Sequence, residues 1–203
     1  HEMTQIRVGV ACGIFLLAIP DIVNKNFRMY LFKTLIAMAF HYSAIIMIIF
    51  YFFDSKRINF KIYFFIPISG LLILYIPSDI MLSLLKGLSI FLPEYIGIKL
   101  NAYLYLLENG VFNINRSYSL FTLNLLFLYY FILINVKKFI NPINIVLIKI
   151  FSFYFLFLFS LSFIPVIAGR LSEFIGIILI ILIPNCILIF KQRFFPSLLI
   201  IVW

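Results

Sequence analysis

The sequence predicts an all-α, polytopic integral membrane bundle of about six transmembrane helices joined by an amphipathic periplasmic connection. Composition is the first ground. Of 203 residues, 65% are hydrophobic and 11% charged, against roughly 45–50% and about 25% in soluble domains. The mean hydropathy is +1.18, and a chain of this size encloses too little interior to hide that many apolar side chains from water. The second ground is that the apolar residues fall in helix-length runs whose ends are marked by charged residues, proline and asparagine, as a bilayer about 30 Å thick requires. A disordered chain, a disulfide scaffold and a nucleic-acid binder are excluded together. The net charge of +9 belongs mostly to residues at the ends of apolar runs, where Lys and Arg act as anchors and topology signals.

In order, residues 8–23 form a short first span, preceded by Arg7 and closed by Pro20 and Asp21. Residues 31–53 form the clearest transmembrane helix, 23 residues interrupted by Thr34, His41, Tyr42 and Ser43. Residues 62–76 contain Pro67 and Gly70, so this span is expected to tilt, kink or extend past its flanks. The texture then changes. Over 78–118, Lys86, Glu94, Lys99, Glu108 and Arg116 interrupt the apolar residues, while Leu82, Leu85, Leu88, and later Leu100, Leu104, Leu107, recur at helical spacing. Two amphipathic helices on the membrane surface fit that pattern. Residues 120–136, 143–164 and 174–190 are three further spans, and 194–203 is half of one. The whole, 1–203, reads as a single transmembrane domain. It opens at His1 with no signal peptide before the first span and is expected to be the C-terminal part of a longer protein.

Assigning the loops 54–61, 137–142 and 191–193 to the cytoplasm, with Arg7 and Lys149, places nine basic residues there and seven opposite. Three of the seven, Lys86, Lys99 and Arg116, belong to the amphipathic connection. Arg7 is thereby expected on the cytoplasmic side.

Ionisable groups within a bilayer are costly, so each is a functional candidate. Arg170 and Glu173 open the sixth span; a cation at a helix start is disfavoured by the helix dipole, so Arg170 calls for an anionic partner. That partner is either Glu173 at i+3 or a phosphate gripped by the guanidinium fork; snorkelling to the interface is the alternative. Arg7 reads equally as an anchor. If the first two spans form a hairpin, Arg7 and His41 differ in depth by roughly 9 Å at 1.5 Å per residue and can line one cavity. His41 is either a neutral imidazole hydrogen-bonded to a neighbouring helix or a base for a hydroxyl proton near neutral pH. No metal site is expected, because His1 is the only other imidazole. Cys12 and Cys186 read as packing residues. The chain has no GxxxxGK[ST], GxSxG, HExxH or GxGxxG, which excludes an ATP-driven transporter for this chain alone.

Two short motifs, Arg7-Val8-Gly9-Val10-Ala11 and, about 30 residues later, Ile36-Ala37-Met38-Ala39-Phe40-His41-Tyr42-Ser43-Ala44, are followed by Lys99-Leu100-Asn101-Ala102-Tyr103 and by Ile167-Ala168-Gly169-Arg170-Leu171-Ser172-Glu173-Phe174. In order and spacing the chain resembles the EpsG family of bacterial polysaccharide polymerases, which includes Wzy-type O-antigen polymerases. The resemblance implies an inner-membrane protein that joins undecaprenyl-diphosphate-linked oligosaccharide repeat units on the periplasmic side, with no obligatory metal or other cofactor and with a chain-length regulator as a partner. It carries His41 and Arg170 over as catalytic residues, with Arg7, Ser43 and Glu173 as substrate contacts. Arginine would hold the donor diphosphate and stabilise its developing charge; His41 would activate the acceptor hydroxyl. A transporter or flippase of lipid-linked sugars is the competing reading, with Pro67 and Gly70 as gate breakers.

Overall fold

The computed structural model describes residues 2–91, 94–109, 119–139 and 141–189. Among these, every regular element is helical: α1 (Glu2–Val23), α2 (Phe27–Phe40), a 3-10 helix (Tyr42–Ile46) running into α3 (Met47–Phe50), α4 (Phe60–Leu74), α5 (Ser78–Ser89), α6 (Glu94–Glu108), α7 (Leu120–Ile134), a second 3-10 turn (Val136–Lys138), α8 (Pro142–Ser160), α9 (Pro165–Gly176) and α10 (Leu179–Ile189). Two helices, over Gln5–Val23 and Pro142–Ser160, are each long and apolar enough to cross a membrane; α9 and α10, bent by 49° at their junction, are so only when taken together, as a broken span or a re-entrant loop. The helices α4 and α7 are apolar but shorter, at 15 residues each. The half-span read at 194–203 and the polar stretch 110–118 lie outside the described residues.

The chief correction concerns residues 31–53, which do not form one straight helix. Helix α2 stops at His41, whose backbone is extended (φ −150°, ψ 119°). The chain then doubles back along α2. Tyr30 donates its hydroxyl to the Met47 carbonyl (2.6 Å), Tyr51 donates to the Lys25 carbonyl (3.0 Å), and the Lys25 ammonium donates to the Phe53 carbonyl (2.9 Å). Residue 47 thus lies beside residue 30, and residues 51 and 53 beside residue 25, so the segment enters and leaves at the same end. The 3-10 stretch, rising about 2.0 Å per residue instead of about 1.5 Å, covers the return in fewer residues. A broken helix at membrane depth survives only where its freed backbone groups meet protein or a hydrated cavity, and His41 sits at such a cavity.

The reversal changes which residues share an end. The turn at Asn24–Asn26, where Lys25 adopts φ 55°, lies beside Phe53 and hence beside the loop before α4. Helix α8 runs parallel to α4. The buried Lys149 ammonium donates to the Asp54 carbonyl and lies 5.4 Å from the Tyr63 ring centroid, while Gly70 faces Leu156. The loop before α8 therefore joins the same end. Lys25, Arg28, Lys33, Lys56, Arg57, Lys61, Lys137, Lys138 and Lys149 all lie at this basic end or within two helical turns of it. Arg7 does not. It stands some 16 residues up α1, about 24 Å away at 1.5 Å per residue, at the end where α9 begins. The expectation that Arg7 belongs with the basic loops is overturned, because the second segment re-enters instead of crossing.

Packing accounts for the rest. Helix α8 is buried over most of its length, with Phe151, Phe155 and Phe159 between α4, α7 and α9. Tyr129 and Tyr130 of α7 donate to the carbonyls of Tyr63 and Phe64 (2.6 and 3.2 Å), tying α7 to α4. Helix α4 runs unbroken through Pro67 and Gly70. A Cβ on Gly70 would come within 3.1 Å of the Leu156 Cα, so this glycine sets the close approach of α4 to α8. The two helices expected in the amphipathic connection are α5 and α6, which pack on each other.

Candidate functional site

At the end away from the basic loops, α1, the His41 break and α9 enclose a cavity of about 920 Å³. Helix α1 contributes one face: Gln5, Gly9, Gly13 and Leu16, with Val8 and Cys12 beside them, a stripe at the i, i+4 spacing of a helix. Helix α9 contributes Pro165, Val166, Gly169, Arg170, Glu173 and Ile177, again a single face. His41 enters from the break between α2 and the 3-10 helix. The residues come from three separate stretches of chain, and the break is what turns the imidazole towards the other two.

Three glycines form much of the wall. A Cβ added to Gly9, Gly13 or Gly169 would meet nothing within 4 Å, so no packing demands glycine at these positions. Each leaves room in the cavity instead. The inner boundary is apolar: Phe174 is fully buried, stacked on Phe15 at 5.2 Å between ring centroids and 6.4 Å from the His41 ring.

The structure brings His41, Arg170 and Glu173 together. All three line the cavity, and the His41 Nε2 atom is buried without a hydrogen-bond partner. The expected alternative, an imidazole satisfied by a neighbouring helix, does not occur. Arg170 is not at a helix start: α9 begins at Pro165, and the dipole argument for an anionic partner therefore lapses. A different argument replaces it. Among the described residues the ion pair is Lys33 with Asp21 (2.6 Å); Arg170 and Glu173, one turn apart, are not paired, and Arg170 presents an exposed guanidinium to the cavity.

Arg7 and Ser43 are not brought in. Two residues on from Gln5, Arg7 is rotated by about 200° at 3.6 residues per turn and is exposed on the far side of α1 from the cavity. Ser43 lies in the 3-10 helix two residues past His41 and is half-buried outside the lining. Reasoning from sequence missed Gln5 and the glycines Gly13 and Gly169 as lining; the signal available was their recurrence with Gly9 and Arg170 on single helical faces.

Among the described residues no three His, Cys, Asp or Glu side chains gather. The cationic group that the cavity offers an anion is Arg170, and the group it offers a proton is His41. A polar cleft in an apolar bundle, with one fixed cation, one free imidazole nitrogen and a carboxylate, is suited to hold a phosphorylated, hydroxyl-rich ligand. No curated protein and no solved structure matches the chain. The family model of EpsG matches residues 1–203, and the chain therefore belongs to the EpsG family, membrane proteins of polysaccharide biosynthesis that include Wzy-type polymerase-like proteins.

Proposed function

We propose that this protein is a polysaccharide polymerase of the bacterial inner membrane that joins undecaprenyl-diphosphate-linked repeat units, of O-antigen or exopolysaccharide, at its periplasmic face. The observation that carries the reading is the convergence of His41, Arg170 and Glu173 on one cavity at the end opposite the basic loops. Cytoplasmic loops are enriched in Lys and Arg. Among the described residues nine basic side chains gather at one end, against Arg7, Arg170 and, on the helix that follows α4, Lys86, which supports a periplasmic cavity.

In this reaction Arg170 grips the donor diphosphate through its planar fork. The His41 imidazole takes the proton of the acceptor sugar hydroxyl as that oxygen bonds to the anomeric carbon of the donor. The bond from that carbon to the diphosphate breaks, and the lipid diphosphate leaves with its electron pair, its charge held by Arg170. Glu173 accepts hydrogen bonds from sugar hydroxyls. Arg7, on the other face of α1, and Ser43 are not needed for these steps.

A flippase for the same lipids is the second reading, favoured by the re-entrant α2–α3 segment and the bent α9–α10 pair, since broken helices recur in transporters. Purified protein in detergent separates the two, because transport has no meaning there. Incubated with lipid-linked repeat units, the wild type is expected to build a ladder of chain lengths and Arg170→Ala none. A normal ladder from Arg170→Ala, or none from active wild-type preparations, would overturn the polymerase reading.

A further inference from the structure

A second concavity, of about 430 Å³, runs along the α9–α10 bend and shares Glu173 and Ile177 with the polar cavity. Beyond Glu173 its walls are apolar: Gly176, Ile180, Ile183 and Pro184 among them. Gly176 lies against the Tyr154 ring, which a Cβ would meet at 3.4 Å, so α9 packs closely on α8 beside the groove. Ile180 is 64% exposed on a helix within the span, so the groove communicates with the lipid. Two compartments of opposite polarity thus meet at one carboxylate, the first presenting a guanidinium and an imidazole, the second only hydrocarbon.

Taking the polymerase reading as its basis, we propose that this groove receives the first part of the polyprenyl chain of the lipid-linked substrate, while the diphosphate joined to that chain lies against Arg170. A single amphiphile with an anionic head and a hydrocarbon tail satisfies both compartments at once; a sugar alone leaves the groove empty, and an uncharged polyprenol leaves Arg170 unpaired. The bend allows the continuity. The helix breaks between the two compartments: α9 and α10 meet at 49° next to Ile177, which lines both, and a tail leaving the cavity can follow α10 into the bilayer.

The test is photocrosslinking of the full chain in detergent, with a benzophenone-bearing phenylalanine analogue in place of Ile180. The probes are undecaprenyl diphosphate, undecaprenol and phosphatidylglycerol, and adducts are identified by mass. Undecaprenyl diphosphate is expected to label the groove about tenfold more than undecaprenol, the equivalent of one charge-assisted hydrogen bond, and more than phosphatidylglycerol, whose phosphodiester carries a single negative charge. Arg170→Ala is expected to remove that preference. Equal labelling by all three lipids, a crosslink only to another part of the protein, or no lipid adduct would overturn the proposal. If chain growth by the wild type persists in that event, the groove assignment falls and the polymerase reading stands.

Discussion

Replacing His41 with Asn separates a structural histidine from a catalytic one. Asn and His have nearly equal helix propensity, and the extended backbone at this position (φ −150°) is open to any residue, so the break between α2 and the 3-10 helix is retained. A buried imidazole that held a hydrogen bond to a neighbouring helix would cost about 1–3 kcal/mol to remove, because its partner would be stranded. His41 Nε2 has no such partner, and its ring lies 6.4 Å from that of Phe174, so the expected loss of stability is below about 1 kcal/mol. Catalysis behaves differently. An amide cannot accept the hydroxyl proton, and loss of a positioned base lowers rates by about 10²–10⁴, or about 2.7–5.4 kcal/mol of barrier. The assay is the initial rate of chain extension in detergent, read beside thermal unfolding of the same preparation. The wild-type rate should fall on the acid side as the imidazole gains its proton, and that limb should be missing from the residual activity of the variant. Extension within several-fold of wild type, or a loss that merely follows the fraction of protein unfolded, would refute the assignment.

Arg170→Lys should retain a charge but not the bidentate fork, and extension should remain about 10²–10³ below wild type for Arg170→Ala with only partial recovery in the lysine variant; comparing the two rates checks it. Gly70→Ala forces α4 away from the Leu156 backbone, 3.1 Å from the added Cβ, and should destabilise by about 1–3 kcal/mol, whereas Gly13→Ala, inside α1 and meeting nothing within 4 Å, should raise the unfolding midpoint slightly, by about 0.5–1 kcal/mol of helix propensity. Lys33 bridges Asp21 (2.6 Å) and the Leu17 carbonyl (2.9 Å), so a double-mutant cycle of Lys33→Ala with Asp21→Ala should show about 1–3 kcal/mol of coupling. Asp54 lies in a loop where the Lys56 backbone N–H, donating to its carboxylate, holds its pKa below the ordinary carboxylate value. Its contribution to stability is present above the unfolded pKa, about 3.9, and is lost as pH falls through the depressed value; Asp54→Asn should flatten the acid limb of the stability profile.

The class of fold was legible because lipid leaves so few options. Residues 142–160 are apolar over a helix length and flanked by Asn141 and Leu161, and no tertiary information is needed to see a span there. Helices α5 and α6 were legible from leucine spacing for the same reason. Residues 31–53 were not. They contain no proline or glycine, and by composition they are the best transmembrane helix in the chain. They break because Tyr30 and Lys25 donate to the carbonyls of the returning backbone and Tyr51, on the returning segment, donates to that of Lys25, contacts between residues 17 to 28 positions apart that no local pattern announces.

The candidate site divides along the same line. Scarcity of ionisable groups in an apolar chain was enough to single out His41, Arg170 and Glu173, since an uncompensated charge in hydrocarbon costs several kcal/mol or more. It could not separate Arg7 from them, because a basic residue at a helix end is equally an anchor. Rotation about α1 separates it, turning Gln5, Gly9 and Gly13 to the cavity and Arg7 to the other side. Hydropathy reports what surrounds a helix; it is blind to where a helix reverses and which way each face points, for both are set by partners distant in sequence, and in this protein those partners decide that His41 and Arg170 share a cavity.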